Sequence, residues 1–119
     1  MPELLRQNIE AQIALTDAEY AHARAMFQPK QVRRRGLALA EGERCEAIYF
    51  IERGALFSYS TDRAGEIHVV QLGVEGHWIS DLGSFFAGAP ALYSIESAEE
   101  ADLRLRAEAS LGGPLVGAV

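Results

Sequence analysis

The chain has 119 residues, of which 49% are hydrophobic, and carries a formal net charge of −6 at pH 7. This length suits one folded domain with a sizeable core and leaves little room for a second. The acidic balance disfavours binding to phosphate backbones or anionic membrane surfaces, so neither direct nucleic-acid binding by this chain nor membrane association is expected. With a single cysteine, Cys45, and no signal-peptide pattern, the sequence predicts a cytoplasmic protein without an internal disulfide.

Residues 1–29 predict an N-terminal helical segment that packs on the outside of the domain. A first helix is indicated by three apolar residues at four-residue spacing, Leu5, Ile9 and Ile13. A second helix should begin after Thr16, because Thr16 and Glu19 have the spacing of a capping box. Its apolar stripe is expected to run on until Pro29 ends the helix.

From residue 30 to residue 106 the pattern is that of short strands separated by turn residues, which is typical of an all-β domain. The run Ile48–Ile51 is β-branched and aromatic and lies between Gly42 and Gly54, so it predicts a strand covered on both faces. Strands are predicted at 30–34, 37–40, 46–52, 55–60, 66–72, 93–97 and 101–106. Short hairpins of this kind favour a mainly β fold, a β-roll or jelly roll, preceded by two short α-helices.

The glycine-rich stretch 73–90 interrupts the strands and holds the best candidate for a binding site. One helical turn is predicted from Ser80 to Phe86, with Ser80 in position to cap it. The free N–H groups at the start of such a turn attract anions, so Ser80 and Asp81 are predicted to contribute to a ligand site. The alternative at this point is that Ser80 only caps the turn.

Part of this sequence resembles a known family. The positions with the spacing of the first signature of the cyclic-nucleotide-binding domain family are Leu39, Gly42, Glu43, Cys45, the apolar run 48–51 and Gly54, with Ala40 as the departure. The span from Leu4 to about Leu105 is similar to the N-terminal sensor domain of Crp/Fnr-type bacterial transcription regulators. The resemblance implies a β-roll at 30–106 that senses a small-molecule effector and regulates transcription. It further implies a homodimer, and no enzymatic activity is expected.

The resemblance also implies roles for individual residues. In members that bind cyclic nucleotide, the segment matching Ser80, Asp81 and Leu82 binds the ribose through its acid and cradles the cyclic phosphate with backbone amides. Those members then place an arginine and a serine or threonine against the phosphate, and the matching positions here are Ala91 and Leu92. Neither side chain can bind an anion, and each lost charge-assisted hydrogen bond costs about 1.5–3 kcal/mol. Binding of a cyclic nucleotide is therefore expected to be weakened, so a cyclic nucleotide and another small effector both stay open, and no cofactor is predicted.

The aromatic residues near this segment suggest a more apolar effector. These residues are Trp78, Phe85, Phe86 and Tyr93. The predicted ligand-binding set is accordingly Trp78, Ser80, Asp81, Leu82 and Tyr93. The alternative is that the aromatic side chains only fill the interior of the roll.

After Arg106 the sequence shows no long amphipathic helix and no helix-turn-helix pattern, so no DNA-binding domain is expected in this chain. Residues 107–119 are expected to form a poorly ordered tail, as in a truncated regulator. Two other functions stay open, a ligand-free β-roll that binds another protein and a small cupin-type metalloenzyme. The enzyme is disfavoured because the three histidines, His22, His68 and His77, include no His-x-His pair that would bring two metal ligands to one side of a strand.

Overall fold

The computed structural model describes residues 4–11 and 13–107. Two helices, α1 (Leu4–Glu10) and α2 (Asp17–Arg24), come first, and a third helix, α3 (Leu82–Ala87), lies between the sixth and seventh strands. The strands are β1 (Gln28–Val32), β2 (Leu37–Leu39), β3 (Ala47–Arg53), β4 (Leu56–Thr61), β5 (Ile67–Gly73), β6 (Trp78–Ile79), β7 (Ser94–Ser97) and β8 (Ala101–Ala107).

The strands form two antiparallel sheets of four strands each. Their orders are β1-β8-β3-β6, which we call the helix-side sheet, and β2-β7-β4-β5, which we call the open sheet. Strands that follow one another along the chain often lie in opposite sheets, so the chain rolls back and forth between the two layers. The predicted mainly β fold, a roll preceded by two short helices, is confirmed.

The core lies between the two sheets, and β3 contributes to it most directly. Tyr49 and Ile51 point into this core, whereas Phe50 points to the outer face of the helix-side sheet. All three are buried, and Ile48 is partly buried. The prediction of a strand covered on both faces is therefore correct, and the second cover is supplied by the N-terminal helices.

Helices α1 and α2 cover the outer face of the helix-side sheet. Leu5 and Tyr20 pack there with Phe27 and Phe50 in a second buried cluster. The capping box that starts α2 is present, since the Glu19 N–H donates to Thr16 Oγ1 over 3.1 Å and the Thr16 N–H donates to Glu19 Oε1 over 2.9 Å.

Three details of the N-terminal prediction are wrong. Helix α1 ends at Glu10, so Ile13 lies beyond it and is 60% exposed instead of continuing the apolar face. Helix α2 ends at Arg24, well before Pro29. Pro29 lies inside β1, where it is tolerated because β1 is at the edge of its sheet. The roll thus begins at Gln28 rather than at residue 30.

The other limits of the prediction concern one short strand and the C-terminal tail. Strand β6 was not predicted, because two residues carry no period of their own. Of the predicted tail at 107–119, Ala107 is instead the last residue of β8, and residues 108–119 lie outside the described residues. Within residues 4–11 and 13–107, no helix is both long enough and apolar enough to span a bilayer.

Candidate functional site

The predicted ligand segment folds as β6, a cap residue and helix α3. The residue that caps α3 is Asp81, whose Oδ1 accepts the Ser84 N–H over 3.2 Å. The predicted helix is present, but it spans Leu82–Ala87 rather than Ser80 to Phe86 and is capped by Asp81 rather than by Ser80. Ser80 is not available as a cap because its hydroxyl donates to the backbone carbonyl of Ala47 over 2.9 Å, which fixes this residue to β3.

The second oxygen of Asp81 is also held by this chain. Oδ2 accepts the Ser84 hydroxyl over 2.8 Å and the Leu92 N–H over 2.7 Å. The residue is only 5% exposed. Burial raises the pKa of Asp81, but hydrogen bonds from the Leu92 amide, the Ser84 hydroxyl and amide, and the Tyr93 amide together bring it below its ordinary value. Asp81 is thus a buried, ionised carboxylate whose charge is balanced by internal donors.

The two positions that match the phosphate-binding pair offer no charge. Ala91 is buried, and two hydrogen bonds connect its backbone to the loop between β2 and β3. Its N–H donates to the Glu43 carbonyl, and its carbonyl accepts the Gly42 N–H. The Leu92 side chain is exposed, and its amide is the group that Asp81 occupies. The Leu92 amide, a backbone donor that could bind an anion at this loop, therefore already binds the Asp81 carboxylate.

A pocket of about 210 Å³ opens beside this segment, between the edges of the two sheets. Three predicted ligand residues line it, namely Trp78, Ser80 and Leu82. The other lining residues are Ile48, Gln71 and Ile79, so the wall is mostly apolar and contains no charged side chain. Among the described residues, Asp81 and Tyr93 are not part of this wall, since Asp81 is buried behind it and Tyr93 lies in the loop before β7.

The predicted aromatic set does not converge on the pocket. The Trp78 ring lies 4.9 Å from the Phe50 ring and 5.7 Å from the Phe27 ring, and its Nε1–H donates to Asn8 Oδ1 over 2.7 Å. Trp78 therefore joins the pocket to the N-terminal helices. Phe85 is buried in the core and Phe86 is exposed on α3.

Three pocket residues, Ile48, Gln71 and Ile79, were missed by the sequence analysis. Ile48 was predicted only as a strand residue, and nothing in the sequence places it next to Ser80. Gln71 is a polar residue within an apolar strand, which was a usable signal, and its side-chain amide donates to the Trp78 carbonyl over 3.4 Å.

The histidines are spread over different parts of the roll, on α2, on β5 and in the turn before β6. Within the described ranges, one group of three side chains could offer metal ligands, Asp62, Glu66 and His68, and all are exposed at the β4–β5 hairpin. Asp62 Oδ2 and His68 Nε2 are 2.9 Å apart.

No protein-family model matches the sequence, and no curated protein sequence matches it significantly. Solved structures do match the fold. The N-terminal domain of a transcriptional regulator from Streptomyces coelicolor aligns with a TM-score of 0.77 at 22% identity, covering 92% of this chain and 77% of that chain. The sensor domain of the transcriptional regulator DNR from Pseudomonas aeruginosa aligns with a TM-score of 0.75 at 14% identity, covering 90% of this chain and 71% of that chain.

The catabolite activator protein of Thermus thermophilus aligns with a TM-score of 0.74 at 17% identity, over 83% of this chain. This chain spans 46% of the length of that protein. At such low identities the likeness concerns the backbone and not the side chains of the site. The chain has the cyclic-nucleotide-binding-like β-roll fold found in the N-terminal sensor domains of these transcription regulators, as the sequence predicted.

Proposed function

We propose that the chain is the effector-sensing regulatory domain of a Crp/Fnr-type cytoplasmic transcription regulator, and that its effector is a small neutral molecule rather than a cyclic nucleotide. The observation that carries this proposal is the hydrogen bond from the Leu92 amide to Asp81, which places a protein carboxylate on a loop amide suited to an anion. The fold likeness to regulator sensor domains supports the regulatory role. In this proposal the chain senses the effector and does not itself contact DNA.

A cyclic phosphate at this loop would have to displace or approach the Asp81 carboxylate. Displacement leaves a buried charge without its donors, which costs about 1–3 kcal/mol per unsatisfied group and more when the group is charged. Approach without displacement brings two negative charges together, with Ala91 where an arginine would compensate them. Both routes disfavour an anionic effector.

The pocket beside the loop has the opposite chemistry. Its volume of about 210 Å³ is below the range of about 300–1,000 Å³ that is usual for the sites of drug-sized ligands, so a small molecule is expected. Ile48, Trp78 and Ile79 offer apolar contact. The Ser80 hydroxyl donates to Ala47 and the Gln71 side-chain amide donates to Trp78, so these two side chains offer a ligand their oxygen atoms as acceptors. A ring-sized neutral molecule with one hydroxyl or amide group fits this combination.

The test uses the indole N–H of Trp78, the one tryptophan of the chain, as an NMR reporter of the pocket. Titration with benzyl alcohol should shift this resonance saturably, whereas cyclic AMP at the same concentrations should not. Leu82→Tyr narrows the pocket and should weaken the benzyl alcohol effect at least fivefold.

The matched control is Phe86→Tyr, an exposed residue of the same helix that does not line the pocket. It should bind benzyl alcohol like the wild type. Equal loss of binding in both variants, or a saturable response to cyclic AMP alone, contradicts the proposal.

A second candidate function is a ligand-free β-roll that binds another protein. It is favoured by the complete internal engagement of Asp81. If the Trp78 resonance responds neither to benzyl alcohol nor to cyclic AMP, this second function becomes the better account.

A further inference from the structure

The turn between β1 and β2 presents three consecutive arginines, Arg33, Arg34 and Arg35, and all three are exposed. We call this turn, residues 33–36, the arginine turn. The chain has 11 lysines and arginines against 17 aspartates and glutamates, so the turn reverses the overall charge locally. In the part of the chain that the structure describes, none of these three guanidinium groups forms an ion pair. Arg6 and Arg53, by contrast, each pair with two carboxylates.

The backbone of the arginine turn adopts a conformation that arginine disfavours. Arg35 has a φ of +66° and is the one residue other than glycine with a positive φ among the described residues. Glycine or asparagine is usual at such a position, because a Cβ atom is crowded there.

Two hydrogen bonds hold the turn in this conformation. The Arg35 N–H donates to the Ser97 carbonyl over 2.8 Å, and the Gly36 N–H donates to the Arg33 carbonyl over 2.7 Å. Ser97 is fully buried at the end of β7, so the turn is anchored to the body of the open sheet. A disfavoured backbone conformation that the surrounding structure enforces is found most often at functional sites.

An exposed apolar side chain lies directly beside the turn. Leu37, the first residue of β2, is 49% exposed. Arginine is enriched at protein–protein interfaces and binds carboxylates through paired hydrogen bonds. We propose that the arginine turn and Leu37 bind a short acidic segment of a partner protein, in which a large apolar residue is flanked by carboxylates.

The charges around the turn favour a short acidic peptide over a nucleic acid. The neighbouring segment 96–100, to which the turn is hydrogen-bonded through Ser97, contains Glu96, Glu99 and Glu100. A continuous phosphate backbone that contacted the arginines would run on over these carboxylates, and over a chain with a net charge of −6. A peptide with a few carboxylates needs to contact only the turn. Its apolar side chain also has a use for Leu37, which a phosphate backbone does not.

The test measures the fluorescence anisotropy of a dye-labelled peptide with the sequence EELEELEE as the full chain is added. Binding should be saturable, and the dissociation constant should rise at least fivefold when the salt concentration is raised from about 0.03 M to about 0.3 M, because exposed charges are screened. The same peptide with glutamine in place of every glutamate should not bind. A labelled thymidine octanucleotide should bind at least tenfold more weakly than EELEELEE.

Charge reversal at the turn gives the main variant. Arg34→Glu should raise the dissociation constant of EELEELEE at least tenfold. The matched control is Arg63→Glu, which makes the same change at an exposed arginine of the β4–β5 hairpin and should change it less than twofold. Leu37→Ser should weaken binding about threefold and leave the salt dependence unchanged.

Arg35→Gly separates a lost contact from a damaged fold. It removes one cation and the disfavoured backbone conformation together, so binding of EELEELEE should weaken at least threefold while the midpoint of urea unfolding does not fall. A wild-type chain that leaves EELEELEE unbound at millimolar concentration overturns the proposal. Equal effects of Arg34→Glu and Arg63→Glu do so as well, and tighter binding of the octanucleotide would make a nucleic acid the partner instead. The ligand test at Trp78 does not depend on these results, since the turn and the pocket share no residue.

Discussion

At the scale of single residues, Asp81 connects α3 to the loop before β7. One of its oxygens caps α3 and the other holds the loop before β7 through the Leu92 amide. The same carboxylate therefore fixes the position of two elements that are joined only by a loop. A residue type that resembles a ribose-binding acid acts here as a structural anion.

The sequence identified Asp81 as important but not the direction of its carboxylate. Its cap role depends on Ser84, which is local and could have been read from the spacing. Its bond to Leu92 depends on how the loop folds back over α3, and no periodicity or motif encodes that path. For the same reason the pocket residues Ile48 and Gln71, which come from distant strands, were not predicted.

Asp81→Asn should lower the free energy of unfolding at pH 7 by about 1–3 kcal/mol, because the amide cannot replace all the acceptor contacts of the carboxylate. The folded-state pKa of Asp81 lies below its ordinary value. Its stabilising effect is therefore present above the unfolded-state pKa, about 3.9, and is lost as the pH falls through the folded-state pKa. Urea unfolding of wild type and variant between pH 3 and pH 7 should show the difference shrinking in acid.

The control for this measurement is Glu46→Gln, which neutralises an exposed carboxylate in the loop before β3. It should change stability by a few tenths of a kcal/mol at most. Equal effects of the two substitutions at pH 7 would show that Asp81 is not engaged as the structure has it.

At the scale of elements, the sequence was sufficient to predict those helices and strands whose signal lies within their own residues. The capping box of α2 and the run Ile48–Ile51 were predicted because each carries its own chemical signature. β6 was missed because its two residues become a strand only by pairing with Tyr49 and Phe50. The end of α2 was placed too late because Pro29, usually a helix stop, is instead accommodated in an edge strand.

The turn between β3 and β4 depends on a glycine for two reasons. Gly54 has a φ of +104°, and a Cβ there would lie 2.7 Å from the Cβ of Ala101 at the start of β8. Gly42 has a similar φ of +91° but no atom within 4 Å of its would-be Cβ. The two positions therefore share the backbone strain and differ in steric overlap.

Gly54→Ala should destabilise the fold more than Gly42→Ala. Both variants incur about 1–2 kcal/mol for a left-handed alanine. Gly54→Ala should cost about 1–3 kcal/mol more, because β8 must move away from the turn. The comparison is made by urea unfolding at neutral pH, and equal midpoints for the two variants would argue against close packing between this turn and β8.

At the scale of the whole molecule, the two sheets differ in how far other described elements cover them. The helix-side sheet has its outer face covered by α1 and α2. The open sheet ends in β5, which is exposed along its length. The overall roll followed from the sequence pattern, but the exposure of β5 did not, since its apolar residues gave the same signal as a buried strand.

On the same scale, the proposed ligand pocket is separate from the loop amide that Asp81 binds. The pocket lies at one side of the roll between the sheet edges, and its charge-free wall is continuous with the N-terminal helices through Trp78 and its bond to Asn8. A neutral molecule in the pocket would therefore contact an element outside the sheets. The Leu92 amide, in contrast, is engaged by the Asp81 carboxylate.

The most direct test of this account follows the Leu92 amide resonance of the full chain by NMR while cyclic AMP is added to millimolar concentration. Because this amide donates to Asp81 over 2.7 Å, the account predicts that its chemical shift stays unchanged during the titration and moves only when acid protonates Asp81. A saturable shift of the Leu92 amide with cyclic AMP at neutral pH, showing that the nucleotide phosphate replaces the carboxylate, would contradict the account.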